Sequence, residues 1–343
     1  MQTYSNIRPI RWENGVLILL DQRKLPDQES YVSINKYKEV AAAISEMIVR
    51  GAPAIGVTAA FGVVLAALEF QDLENWRIKL DQAIEFLKES RPTANNLGWA
   101  LGKMRVLIDA TPILDISALE KEAKSILKED VQQNRLMGKL GAEFIKERGS
   151  ILTHCNAGAL ATAGYGTALG VVRSAFANNK IDRVYADETR PWLQGTRLTA
   201  WELAMDNIPV TVLCDGASSS ALRNKKITWV IVGADRIASN GDVVNKIGTY
   251  PLALLAKYHN VGFMVVAPTN TIDSNALSGD DIPIEERSAK ELFEYAEKKF
   301  TKNNPSIWNP VFDITPADLI DVLVTEKGVI KNPNAKKLRK VIK

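Results

Sequence analysis

The sequence predicts an α/β protein in two parts, a mainly helical N-terminal domain over residues 1–125 followed by a parallel-sheet C-terminal domain over residues 126–343. Three observations carry this reading. In the first third, apolar residues recur every three or four positions, as on a buried helix face; Val40, Ile44, Met47 and Ile48 form one such set. From Ser150 onward the rhythm changes to short apolar runs separated by helical stretches, the pattern of βα units around a parallel sheet. The length of 343 residues also exceeds what a single hydrophobic core sustains.

In chain order, a short strand at Val16–Leu20 precedes helices over Lys36–Val49, Pro53–Leu68, Glu74–Ser90 and Asn96–Leu107. The most apolar run, Ala52–Phe70, is interrupted by Pro53, Gly56, Thr58 and Gly62 and is followed by a charged helix, so it reads as a buried core helix and not as a membrane span. A longer helix, Ile116–Arg148, repeats Leu119, Ala123, Ile126 and Leu127 at helical spacing, stops before Gly149, and links the two parts. Strands are then expected at Ile151–His154, Arg183–Ala186, Val210–Cys214, Thr228–Val232, Gly262–Ala267 and Leu319–Thr325. The lysine-rich end, Lys336–Lys343, reads as a solvated last helix.

Composition excludes several classes of function. Lys and Arg number 43 against 40 Asp and Glu, and this net +3 lacks the concentrated basic patch of a nucleic-acid binder. Two cysteines, Cys155 and Cys214, are too few and too far apart for a disulfide framework, which suits a reducing cytoplasm. Met1–Asn14 is polar and mixed in charge, unlike a signal peptide. Two histidines, His154 and His259, without Cys-x-x-Cys or His-x-x-x-His spacing, predict no metal site; His154 and its neighbour Cys155 should point to opposite faces of a strand.

In a parallel sheet, ligands gather where strands end and helices begin, because loop amides and helix N-termini collect there. The unusual residues fall at those places. The first strand of the sheet ends in Thr153-His154-Cys155-Asn156-Ala157-Gly158, which sets a thiol at the mouth of the sheet; the alternative is an inert buried cysteine. The strand Val230-Ile231-Val232 runs into Gly233-Ala234-Asp235-Arg236, where a carboxyl leaving an apolar strand tends toward a raised pKa and general acid–base work; a helix cap or a partner for Arg236 is equally open. Asn245-Lys246 precedes an apparent helix start and offers a phosphate ligand or a solvated loop. Asp187-Glu188-Thr189-Arg190-Pro191-Trp192-Leu193-Gln194-Gly195 is dense in the hydrogen-bonding groups that suit a polyhydroxylated ligand. Arg50-Gly51-Ala52-Pro53 and Arg91-Pro92-Thr93 each set an arginine beside a helix N-terminus, as expected for a phosphate anchor. Gly164-Tyr165-Gly166-Thr167-Ala168-Leu169-Gly170 followed by Asp187 loosely mimics a dinucleotide fingerprint, but the spacing is one residue too long and the glycines lie past the strand turn, so they read as close-packing positions in a helix.

Arg50-Gly51-Ala52-Pro53-Ala54-Ile55-Gly56, Thr153–Gly158, Asp187-Glu188-Thr189-Arg190-Pro191, Leu193-Gln194-Gly195, Gly233-Ala234-Asp235-Arg236-Ile237 and Asn245-Lys246-Ile247-Gly248-Thr249 together resemble the signatures of methylthioribose-1-phosphate isomerases, from about Trp12 to Lys327. The resemblance implies a Rossmann-like C-terminal domain and a cytoplasmic homodimer. It implies cofactor-free conversion of 5-methylthioribose 1-phosphate into 5-methylthioribulose 1-phosphate in methionine salvage, with no nucleic-acid or membrane partner. By match, Cys155 and Asp235 are the catalytic pair, and Arg50, Gly51, Ala52, Arg91, Gln194, Asn245 and Lys246 contact the sugar phosphate. Two segments depart from the family's pattern, Asp215–Ser219 and Lys298–Trp308, and are expected to bear on the pocket end that meets the sugar's 5-substituent. That keeps an isomerase of 5-deoxyribose 1-phosphate or ribose 1,5-bisphosphate in view. A noncatalytic regulatory subunit, like the initiation factor subunits said to share the fold, is the alternative from another class.

Overall fold

The computed structural model describes residues 7–91, 95–295, 298–299 and 306–342. The chain opens with a three-stranded antiparallel sheet, β1 (Ile10–Glu13), β2 (Val16–Leu20) and β3 (Tyr31–Ile34), of which the sequence reading found only β2. Asn14 and Gly15, both at positive φ, make the two-residue turn between β1 and β2.

Five helices follow: α1 (Tyr37–Ser45), α2 (Ala52–Phe70), α3 (Trp76–Glu89), α4 (Asn95–Asp109) and α5 (Ile116–Ala142). Helix α1 ends four residues short of its expected Val49, and Met47 turns to φ 60° just beyond it. Helix α2 is apolar on every face because the other four helices and β1 pack around it; it is long and apolar enough to cross a bilayer, but 83% of that stretch is buried inside the protein. Trp12 from β1 stacks on Phe61 of α2 with ring centroids 4.9 Å apart. Helix α5 serves two cores. Its Leu119, Ala123 and Ile126 lie in the helical core, whereas Met137 and Ala142 pack with α6 (Ala168–Ala177) beneath the main sheet.

That sheet has seven strands. In chain order they are β4 (Gly149–Thr153), β5 (Ile181–Asp187), β6 (Val210–Leu213), β7 (Ile227–Val232), β10 (Gly262–Val266), β15 (Val322–Thr325) and β16 (Gly328–Lys331). Their spatial order is β16-β15-β10-β7-β4-β5-β6, all parallel except the antiparallel edge strand β16. The chain starts in the middle at β4, moves outward through β5 and β6, then returns to the other side of β4 with β7. This is the doubly wound Rossmann order, and its reversal point lies between β4 and β7, where Leu152 pairs with Val230. The six parallel strands match the expected ones in place, although the last is shorter, since Ala317–Leu319 forms a single 3₁₀ turn before it.

A second sheet, not foreseen, joins β11 (Ile272–Asp273), β8 (Arg236–Ala238), β9 (Val243–Lys246) and β14 (Phe312–Thr315) in that order. Asn245 and Lys246 therefore end a strand, where pairing with Phe312 and Asp313 of β14 fixes them, and are not part of a loop. Around the sheets lie α7 (Ala200–Met205), α8 (Ser218–Asn224), α9 (Thr249–Tyr258), the four-residue α10 (Lys290–Phe293) and α11 (Ala335–Ile342), and the two-residue strands β12 (Glu294–Tyr295) and β13 (Lys298–Lys299) form a ribbon. Gly164 and Gly166 do not sit in a helix as expected: both take positive φ in the loop before α6, and only Gly170 is helical.

Candidate active site

A cleft of about 700 Å³, its open mouth included, lies at the carboxyl ends of β4 and β7, the reversal point of the sheet. All nine residues singled out in the sequence line it. Cys155 follows β4, Asp235 follows β7, Gln194 comes from the segment after β5, and Asn245 and Lys246 from the end of β9. Arg50, Gly51 and Ala52 enter from the start of α2, and Arg91 from the end of the α3 segment. Pro92 and Thr93 of the second arginine motif lie outside the described residues. Gly51, at φ 97°, caps α2, and a Cβ there would stand 2.6 Å from the Ala161 backbone, so only glycine lets the Arg50 segment close on the sheet domain.

Cys155 is held in an unusual conformation. Its φ is 60°, its N–H donates to Thr189 Oγ1 at 2.8 Å, and its carbonyl accepts from Thr199 Oγ1 at 2.6 Å. Because β4 ends at Thr153 and the backbone then turns left-handed, strand alternation fails, and His154 and Cys155 both line the cleft instead of facing opposite ways. Burial pushes the Cys155 thiol above its ordinary pKa; Arg50 and Lys246 pull it down, and Asp235 adds to the rise. Ten non-glycine residues among those described have positive φ. Five are asparagines, which tolerate it; the others are Met47, Cys155, Tyr165, Thr189 and Leu193.

His154 is buried with both ring nitrogens engaged, Nδ1 to Asp187 Oδ2 at 2.9 Å and Nε2 to the Ile247 carbonyl at 2.8 Å. Burial opposes its charge, but the two oxygen partners, Asp187 above all, outweigh burial and raise its pKa. His154, Asp187 and Asp215 bring possible ligand atoms within 4.8 Å of one another. Each is already committed: Asp187 Oδ1 accepts from Ser218, and the two Asp215 oxygens accept from the Thr189 and Arg190 amides. The cluster is a brace for the loop after β5. The divergent segment Asp215–Ser219 supplies that brace and does not line the cleft, contrary to expectation; of the second divergent segment, residues 300–305 lie outside those described.

Lys246 and Arg91 bring positive charge to the cleft. Among the described residues the side chain of neither forms a hydrogen bond or ion pair; Lys246 Nζ lies 4.7 Å from the centre of the Phe312 ring. Burial lowers both pKa values, that of Lys246 from 10.5 to about 8. Holding the Lys246 ammonium in the cleft without an anion thus costs about 3 kcal/mol below pH 8, a cost that disappears as pH rises from 8 toward 10.5, where the unfolded chain still keeps its proton. An anion in the cleft removes the penalty and raises that pKa. Inorganic phosphate is therefore expected to bind about tenfold more weakly at pH 9.5 than at pH 7.5, and Lys246→Met to flatten this dependence; calorimetric titration at the two pH values checks it, and equal affinities would discard the assignment.

The sequence reading missed several residues at the cleft. Met47, Phe312 and Arg287 line it; Arg287 is paired with Glu285 at 2.8 Å. Asn156, directly after the cysteine, carries the Arg50 guanidinium on its side-chain and main-chain oxygens.

Residues 48–332 match the model of the Initiation factor 2 subunit family. Over 341 residues the chain is 52% identical to the methylthioribose-1-phosphate isomerase of Thioalkalivibrio sulfidiphilus, with 99% of this chain and 98% of the relative covered. The chain belongs to the methylthioribose-1-phosphate isomerase family. Among solved structures, the 5-methylthioribose 1-phosphate isomerase of Pyrococcus horikoshii shares the fold with a TM-score of 0.91 and 40% identity, over 98% of this chain and 96% of that one. A structure described as translation initiation factor eIF-2B, subunit delta, from A. fulgidus superposes with a TM-score of 0.86 at 41% identity, covering 98% and 99%. Membership of the methylthioribose-1-phosphate isomerase family and the Rossmann order of the main sheet agree with the fold expected from sequence.

Proposed function

We propose that the chain is an aldose–ketose isomerase that converts 5-methylthioribose 1-phosphate into 5-methylthioribulose 1-phosphate in methionine salvage, without a cofactor. The observation that carries this reading is the pair of cationic side chains, Lys246 and Arg91, without a hydrogen-bond or ion-pair partner among the described residues, in a cleft that also holds a thiol and a carboxyl group. Burying such cations without direct partners is costly, an anion in the cleft offsets that cost, and a phosphate monoester suits the cleft.

A sugar 1-phosphate is locked as a ring, since its anomeric oxygen carries the phosphate. Asp235 gives a proton to the ring oxygen as the bond from C1 to that oxygen breaks, leaving an oxocarbenium ion at C1 beside the phosphate. The hydrogen on C2 moves with its electron pair to C1, the C2 hydroxyl returns a proton to Asp235, and C2 becomes the ketone. Arg50, Arg91 and Lys246 hold the phosphate, and Gly51, Ala52, Gln194 and Asn245 orient the sugar. A protonated Cys155 favours this hydride route over a cis-phosphoenolate, which needs a thiolate base to take the C2 proton. In D₂O the hydride route leaves C1 of the product free of solvent deuterium; deuterium at C1 would install Cys155 as the base.

The deciding assay compares kcat/KM for 5-methylthioribose 1-phosphate, 5-deoxyribose 1-phosphate and ribose 1,5-bisphosphate with no added cofactor. Preference for the thiomethyl sugar supports the proposal, preference for another substrate moves the protein to a sister reaction, and absence of turnover favours a regulatory role. We further propose a cytoplasmic homodimer with the helical part at 1–125 and the sheet part at 126–343. Tyr250, Leu254 and Tyr258, exposed on successive turns of α9, support a surface covered by a second copy.

A further inference from the structure

A buried polar chain runs from the core to the cleft. Arg173, fully buried in the mostly apolar helix α6, donates through Nε to Asp206 Oδ2 at 2.7 Å and through an Nη to Glu202 Oε2 at 2.8 Å. Glu202, also fully buried, accepts from the Ala159 amide at 2.7 Å and, on its other oxygen, from Asn156 Nδ2 at 2.5 Å. Asn156 Nδ2 also reaches Thr199 Oγ1 at 3.2 Å. At the cleft end, the two terminal nitrogens of Arg50 donate to Asn156 Oδ1 at 2.6 Å and to its carbonyl at 2.7 Å.

The order of groups in this chain has a chemical sense. Arg173 is paired with both Glu202 and Asp206, and Arg50 is joined to this cluster through the Asn156 amide. An amide orients the guanidinium without neutralising it, whereas a carboxylate at position 156 would pair with Arg50 and would also lie against Glu202. Among the described residues Arg50 has no ion pair, so its remaining N–H donors and its full charge face the cleft. Thr199, which helps to hold Asn156, also holds the Cys155 carbonyl, so one set of groups aligns both the cation and the thiol. We infer that Asn156, itself held by Glu202 and Arg173, is a positioning residue that fixes the Arg50 guanidinium on the substrate's phosphate while leaving its charge uncompensated. This rests on the reading of Arg50 as a phosphate ligand.

A double-mutant cycle tests it, with inorganic phosphate as the probe and kcat/KM for the sugar phosphate measured alongside. Arg50→Met and Asn156→Ala are each expected to weaken phosphate binding about tenfold or more, the scale of a lost hydrogen bond to a charged group. If Asn156 acts through Arg50, the double variant binds no more weakly than Arg50→Met alone. Glu202→Gln is expected to act in the same direction and to lose its effect in the Arg50→Met background. Should that variant fail to fold, the Asn156→Ala cycle stands by itself, because it leaves the contacts of Glu202 with Arg173 and Ala159 in place. Multiplying losses in the double variant, or unchanged binding in Asn156→Ala while Arg50→Met is weakened, would overturn the inference and leave the functional reading intact. Unchanged phosphate binding in Arg50→Met would instead remove the assignment of Arg50 and this inference with it.

Discussion

Asp235→Asn is expected to lower kcat by a factor of about 10²–10⁴ while substrate binding changes by only a few fold, the range that a positioned general acid supplies. Asparagine keeps the shape of the side chain but cannot release the proton that the ring oxygen needs. The backbone at this position is fixed independently of the side chain, because the Asp235 N–H donates to the Val244 carbonyl of β9 at 2.9 Å. Misfolding is thus not the expected outcome. Initial rates, set beside direct titration of the substrate onto the variant, separate chemistry from binding, and a kcat close to that of the parent protein would strip Asp235 of its role.

Cys155→Ser should have the next largest effect, also about 10²–10⁴ in kcat with binding retained. Burial outweighs the pull of Arg50 and Lys246 and raises the thiol's pKa, which favours its protonated form. In the proposed hydride route it serves as a weak, poorly hydrated donor beside the reacting carbons; a serine hydroxyl is more strongly solvated and would bring water toward an oxocarbenium ion. The same protonation has a second readout. Iodoacetamide should modify Cys155 slowly at pH 7, faster as pH rises above the ordinary thiol range, and more slowly in the presence of phosphate. Fast alkylation that does not vary with pH would contradict a raised pKa.

The main sheet was legible because its strands are continuous apolar runs, as in Val230-Ile231-Val232, that periodicity and flanking turns reveal. Given the strands, the rule that ligands sit at their carboxyl ends made Cys155 and Asp235 candidates beside an inert cysteine and a helix cap, and the family resemblance supplied their catalytic roles. The small sheet was hidden for two physical reasons. Its strands have two to four residues, some of them polar, such as Arg236, Asn245 and Lys246, and β9 pairs with β14 across a wide sequence gap. Strand β1 could have been found, since Asn14-Gly15 between apolar runs is a hairpin signal. Asn156 and Glu202 were missed because their importance depends on contacts across 46 positions. One signal did exist: Arg173 stands amid Ala168-Leu169-Gly170-Val171-Val172 and Ala175, and a charge inside an apolar helix requires buried partners.

The left-handed residues that are not asparagine gather around the cleft. Met47 and Cys155 line it, Thr189 holds the Cys155 amide, Leu193 precedes Gln194, and Tyr165 lies between the lining residues Thr162 and Thr167. Each such conformation costs about 1–2 kcal/mol, so together the five approach the whole net stability of an ordinary domain. Selection for thermal endurance and selection for turnover therefore pull on the same positions in opposite directions. A directed-evolution campaign for a tougher catalyst would do best to leave these five alone and seek its gains on the far faces of the helical part.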